Sequence, residues 1–194
     1  MASNCRESAD PISAIRNFFV RSPHWQVFAI LVGVLCIGQI LVFSTYPNGG
    51  SVEIPVRSLV IAELCWICFV LWFWSLGSFL NSVVKADLRS SLLFFRFALA
   101  YPLVYMAAFQ VAFEGLTPVY FIALFPFHLL AMFCLIFDLN FVSKSLALAE
   151  RGGAVSFYDY AGPFFLLWFF PLGIWFIQPR INRLYANATL ALSS

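Results

Sequence analysis

Four runs of apolar residues, each long enough to cross a lipid bilayer, constrain this chain more than anything else in it. Val27 to Phe43, Ser58 to Leu80, Leu92 to Phe113, and Pro118 to Phe137 with an extension toward Ala149 are crowded with Phe, Leu, Val and Ile. They are apolar on every side of a helix rather than along one stripe, the pattern of helices surrounded by lipid or core. A helix needs about 20 such residues to span the hydrocarbon layer, and in lipid every backbone N–H and C=O must find its partner within the segment. The expected fold is therefore all-α and polytopic. Composition agrees: 62% of the residues are hydrophobic and 10% are charged, where soluble domains carry about 25% charged residues. At 194 residues there is room for four or five crossings in a single integral-membrane domain, 1–194. The net charge of +2 is small and scattered, unlike the clustered basic face of a nucleic-acid binder. Nucleic acid is excluded as a partner, and the lipid bilayer is the expected one.

Local signals divide the chain. A polar stretch from Met1 to about Gln26 precedes the first apolar run, which is not the order of a cleaved signal peptide; residues 1–26 are expected to be a cytoplasmic segment. Tyr46-Pro47-Asn48-Gly49-Gly50 stops the first helix by turn chemistry. Lys85, Asp87 and Arg89 form a charged connection after the second. Pro102 predicts a kink in the third. The turn Glu114-Gly115-Leu116-Thr117-Pro118 is so short that the third and fourth helices form an antiparallel hairpin. Residues 27–149 thus carry four transmembrane helices. Gly152-Gly153 ends the fourth, and Ser156 with Asp159 has the S-x-x-D capping pattern of a new helix start. The apolar stretch from Gly162 to Gln178 is short for a crossing and is interrupted by Pro171 and Gly173. Residues 156–187 are read as a hydrophobic hairpin, interfacial or re-entrant.

Charge placement separates that reading from the alternative of five transmembrane helices, because Lys and Arg concentrate on cytoplasmic loops. With five crossings and the N-terminus inside, Arg57, Arg180 and Arg183 fall outside; with a hairpin, only Arg57 does. Four crossings plus a C-terminal hairpin is the preferred topology, and the N-terminus is cytoplasmic in both.

Polar groups inside apolar spans are costly and are functional candidates by default. Counted at 1.5 Å per residue, Gln39, Glu63 and Gln110 lie near the outer ends of their helices and would form one intramembrane polar layer. Glu63 is then either hydrogen-bonded glue between helices or a proton or cation site. His128, near the middle of the fourth helix and two residues after Pro126, would satisfy a carbonyl freed by that proline. Arg96 and Asp138 fall at matching depth if the third and fourth helices pair, and are expected to form an ion pair. Ala29 with Gly33, and Ala108 with Ala112, have the spacing of close helix packing within the chain or between copies. No catalytic motif or metal-ligand spacing is present in the sequence, and no cofactor is expected: a closed zinc site wants four Cys/His ligands, and a bis-histidine haem a second axial histidine.

Cys65-Trp66-Ile67-Cys68 resembles the C-x-x-C of four-helix thiol oxidoreductases that pass electrons to quinone, the disulfide-generating enzymes of the bacterial membrane and vitamin K epoxide reductase. The resemblance would imply thiol redox chemistry at Cys65 and Cys68. Those families relay electrons through further cysteines in an extramembrane loop, and no outer loop here contains one.

The most distinctive stretch runs Trp168-Phe169-Phe170-Pro171-Leu172-Gly173-Ile174-Trp175-Phe176-Ile177-Gln178-Pro179-Arg180-Ile181-Asn182, preceded by Lys144-Ser145-Leu146 and Ser156-Phe157-Tyr158-Asp159-Tyr160. Its aromatics suit a membrane interface, and Arg180 and Arg183 suit lipid headgroups. It is similar to the C-terminal signature of a set of small bacterial integral-membrane proteins, which implies a bacterial inner-membrane location and nothing catalytic. The expected function is a non-enzymatic accessory, assembly or partner-binding membrane component, with a membrane protein or a second copy as partner. The alternatives are a small transporter or proton-linked protein using Glu63, and the quinone-linked thiol oxidoreductase.

Overall fold

The computed structural model describes residues 11–45, 56–113 and 118–193. Among them are seven α-helices: α1 (Pro11–Arg21), α2 (His24–Thr45), α3 (Val56–Val83), α4 (Leu92–Phe113), α5 (Pro118–Arg151), α6 (Phe157–Trp168) and α7 (Phe170–Ser193), with a 3₁₀ turn at Ala86–Leu88. Three are long and apolar enough to cross a membrane, over Leu59–Val83, Leu92–Gln110 and Ile122–Arg151; α1 and α2, bent by 108° at their junction, make a fourth if they count as one span. The chain is all-α, with apolar helices compatible with a membrane protein.

The polar N-terminal segment expected over residues 1–26 contains a helix. In α1, Phe19 and Val20 are buried, and the helix packs against α3 and α7. It ends at Ser22-Pro23. Proline has no N–H and disfavours a helical residue before it, so the intrahelical ladder stops. The N–H and hydroxyl of Ser22 both donate to the Phe18 carbonyl, at 2.9 and 2.7 Å, and α2 restarts with the Pro23 carbonyl accepting from Gln26 at 3.0 Å.

Helix α3 is the centre, touching α1, α2, α4 and α5, with Trp72, Leu76 and Leu80 fully buried. Gly77 lets the Phe95 ring of α4 reach the α3 backbone; a Cβ there would lie 2.4 Å from the ring. The same ring stacks on Phe141 of α5 at 4.3 Å, which locks three helices at one level. Arg89 caps the end of α3, donating to the carbonyls of Val84 at 2.9 Å and Ser82 at 2.8 Å. Within the chain, close approach is not made at Ala29, Gly33 or Ala108. Ala29 and Ala108 are exposed, and a Cβ on Gly33 would meet nothing within 4 Å.

Helix α5 stops where the sequence places the stop. Gly152 has φ +65°, the left-handed conformation that terminates helices, and its N–H reaches the Leu148 carbonyl at 2.8 Å. The S-x-x-D start follows: Asp159 accepts from the Ser156 N–H at 2.8 Å and from its hydroxyl at 3.0 Å, and pairs with Arg151 at 2.8 Å. These donors hold the Asp159 carboxyl below the usual carboxylate range, the Ser156 backbone N–H contributing most.

α6 and α7 pack on each other as a hairpin. Both limbs meet the end of α5: Asp159 of α6 pairs with Arg151, and Arg180, midway along α7, grips the adjacent Glu150 with Nε to Oε1 at 2.7 Å and a second contact from Nη2 to Oε2. At the turn the α7 backbone lies against the last turn of α6. A Cβ on Gly173 would sit 1.8 Å from the Leu166 carbonyl oxygen, so only glycine fits.

Candidate functional site

The hairpin tip, residues 167–170, closes one side of a cavity of about 400 Å³. α2 contributes Leu31 and Leu35, α3 a wall from Ala62 to Phe73, α4 Leu99 and Pro102, and α5 the stretch from Met132 to Leu139. The volume lies within the range of small-molecule sites, about 300–1,000 Å³. Aromatic side chains dominate one wall: Trp66 meets Phe69 edge-on at 6.0 Å, and Phe69 meets Phe170 at 5.4 Å. The only ionisable residues among the liners are Cys65 and Asp138.

Asp138 is the outlier. It is 1% exposed, lies about 20 Å along α5 from Arg151, and neither carboxyl oxygen has a hydrogen-bond partner. Burying a carboxyl group without a partner costs several kcal/mol in lipid or protein. The expected ion pair with Arg96 does not form. Phe95 is committed to the cleft between Gly77 and Phe141, and the next residue is turned about 100° around the helix, so Arg96 is exposed. α4 and α5 do pair here, Phe94 meeting Phe137 at 4.6 Å, but depth along a helix does not give the direction of the side chain.

The expected outer polar layer is partly assembled. Gln110 Nε2 donates to Glu63 Oε2 at 3.2 Å, joining α4 to α3; Gln39 has no described side chain, and Glu114 lies outside the described residues. His128 belongs to neither group. Its Nδ1 faces the Tyr105 hydroxyl at 3.3 Å rather than a carbonyl freed by Pro126, and the carbonyl of Phe127 accepts from the Tyr101 hydroxyl at 3.2 Å.

The four described cysteines are free thiols, Cys65 at the cavity wall and Cys68 beside the core. Among the described residues no group of three or more His, Cys, Asp or Glu could hold a metal ion. Of the two arginines assigned to lipid headgroups, Arg180 is engaged by Glu150, while Arg183 is exposed.

A second buried polar group was not anticipated. Gln178 is fully buried, and its Nε2 donates to the carbonyls of Phe19 at 2.7 Å and Ser22 at 3.0 Å and to Asn182 Oδ1 at 3.1 Å. Its Oε1 accepts from the Trp72 indole at 3.3 Å, and Asn182 Nδ2 also reaches the Ser22 carbonyl at 3.2 Å. The logic is local. The helical donor for the Phe19 carbonyl would be the N–H of residue 23, which is proline, and Gln178 supplies it instead. The signal was an amphipathic run, Ile12 to Val20, ending in Ser-Pro; its partner is 159 residues away in sequence.

No protein-family model, curated protein or solved structure matches this chain.

Proposed function

We propose that this chain is a multi-pass protein of a bacterial inner membrane, with a cytoplasmic N-terminus and four crossings made by α2, α3, α4 and α5. In this reading α6 enters from the cytoplasmic side and α7 returns to it. The pairing of both hairpin limbs with the end of α5 supports it, as does the positive-inside rule, which the hairpin lets Arg180 and Arg183 obey. Its role is non-enzymatic: it holds a lipophilic guest, a lipid-like molecule or a side chain of a membrane partner, in the cavity between α2, α3, α5 and the hairpin tip. One observation carries this reading, an intramembrane cavity of about 400 Å³ walled almost entirely by apolar and aromatic side chains. Such a surface offers dispersion contact and little chemistry. Glu63, hydrogen-bonded to Gln110, serves as glue between helices, and Cys65 and Cys68 as small apolar residues.

Two experiments test this. A cysteine at position 194 should react with an impermeant thiol reagent only from the cytoplasmic face; labelling from outside would establish a fifth crossing and end the hairpin topology. Native mass spectrometry after extraction in mild detergent should show a stoichiometric lipophilic molecule or membrane partner, displaced in Val70→Phe, which fills the cavity. Repeated recovery of the bare chain would overturn the binding role.

A further inference from the structure

We infer that the guest is a lipophilic cation, an onium or amine group on a hydrophobic body, and that Asp138 is its counter-ion; this rests on the cavity being a binding site. The argument is one of an unpartnered buried acid. The other described acids on α-helices have partners: Glu63 has Gln110, Glu150 has Arg180, and Asp159 has Ser156 and Arg151. Asp138 has none, although it is 1% exposed and surrounded by neighbours. Among the described residues no Lys, Arg or His lines the cavity with it, and Arg96 of α4 is exposed.

An acid so placed has no counter-ion among the described residues, and a cationic guest can supply one. Pairing is strong there, because opposite charges in a low-dielectric interior are poorly screened. The remaining wall suits the same chemistry. Trp66, Phe69, Trp168 and Phe170 line the cavity, and aromatic faces attract cations within about 6 Å, most strongly where water is excluded. A neutral hydrocarbon would use the aromatic wall and leave the carboxyl unmatched; an anion would be repelled by it.

The probe is tetraphenylphosphonium, with triphenylphosphine oxide as an uncharged counterpart, titrated by equilibrium dialysis into the full chain in nanodiscs, with empty nanodiscs subtracted. Asp138→Asn keeps the shape and removes the charge. It should weaken tetraphenylphosphonium binding by about tenfold or more while leaving the oxide within about twofold. Its thermal unfolding should stay at or above that of the unmodified chain, because an unmatched buried acid is gone. Val70→Phe should weaken both probes. If Asp138→Asn binds the cation as the parent does while Val70→Phe still weakens both probes, the counter-ion assignment is overturned and the cavity reading stands. If neither substitution changes either probe, or the parent binds neither, both are overturned.

Discussion

Replacing Gln178 by Leu tests whether the junction between α1 and α2 is held by a side chain from the far end of the chain. Leucine fills nearly the same volume, so the cavity penalty that accompanies truncation is absent and the loss is one of hydrogen bonding. Four hydrogen bonds disappear, those to Phe19, Ser22 and Asn182 and that from Trp72. The Ser22 carbonyl keeps Asn182, while three groups lose their identified partner: Asn182 Oδ1, on a half-buried residue, and the buried Phe19 carbonyl and Trp72 indole N–H. Each such buried group costs about 1–3 kcal/mol. Hydrogen bonds in a membrane protein average about 0.6 kcal/mol each, which for all four gives a lower figure of roughly 2.4 kcal/mol. Two buried groups give about 2–6 kcal/mol, a range that contains the lower figure, so the expected loss is about 2–6 kcal/mol. Asn182→Ala should cost less, about 1 kcal/mol, because the Ser22 carbonyl and the Gln178 amide each keep another partner. The assay is equilibrium unfolding in mixed SDS micelles, followed by tryptophan fluorescence. A Gln178→Leu protein within about 0.5 kcal/mol of the parent, or one less affected than Asn182→Ala, would refute the idea that this amide replaces the missing proline donor.

Other outcomes follow from single atoms. Gly173→Ala should abolish the monodisperse peak on size exclusion, since its Cβ would lie 1.8 Å from the Leu166 oxygen, whereas Gly162→Ala, with nothing within 4 Å, should elute normally. Gly77→Ala should destabilise through the Phe95 ring, and Phe95→Leu in the same chain should recover part of the melting temperature; no recovery would mean that the ring is not the obstruction. Asp159 is held below the usual carboxylate range by Ser156 and Arg151, so its contribution is complete above the ordinary carboxylate pKa and is lost as pH falls through its lowered folded value. The melting temperatures of the parent and Asp159→Asn should therefore converge in acid and separate toward neutrality; a constant gap would contradict the linkage.

What could be read in the sequence was what depends on neighbours along the chain. Gly152-Gly153 and the Ser156/Asp159 pair fix a helix end and the next helix start within eight residues, and both are where the pattern puts them. The apolar runs likewise gave the helices, because lipid leaves the backbone no alternative. What could not be read was direction around a helix axis. A helix apolar on every side carries no stripe to say which face is inward, so Arg96 and Asp138, expected at one level, do not meet. The same blindness hid the use of Trp168, assigned to an interface belt by composition and found lining the cavity. α1 was legible in part: Ile12, Ile15, Phe18 and Phe19 recur at helical spacing, yet only Phe19 of the four is buried, so the spacing did not say which residues would pack.

One mechanical element joins the cavity to the buried amide of Gln178. Phe170, at the start of α7, lines the cavity, and Gln178, eight residues on and about 12 Å along the helix, is fastened to the α1–α2 junction. Between them Ile174 and Ile177 are fully buried, so this part of α7 is packed rather than free to bend. The tip that closes the cavity is therefore positioned from its base, by Gln178 on α1 and by Arg180 on Glu150. This arrangement makes a prediction that stability alone does not. Arg180→Gln, half-exposed and far from the cavity, should lower the affinity for tetraphenylphosphonium a few-fold while changing the melting temperature little, since exposed ion pairs contribute about 0–1 kcal/mol. If the affinity is unmoved in a variant that measurably loosens α7, as judged by faster amide exchange over residues 170–181, the hairpin base does not set the position of the tip. The cavity would then be shaped by α2, α3 and α5 alone.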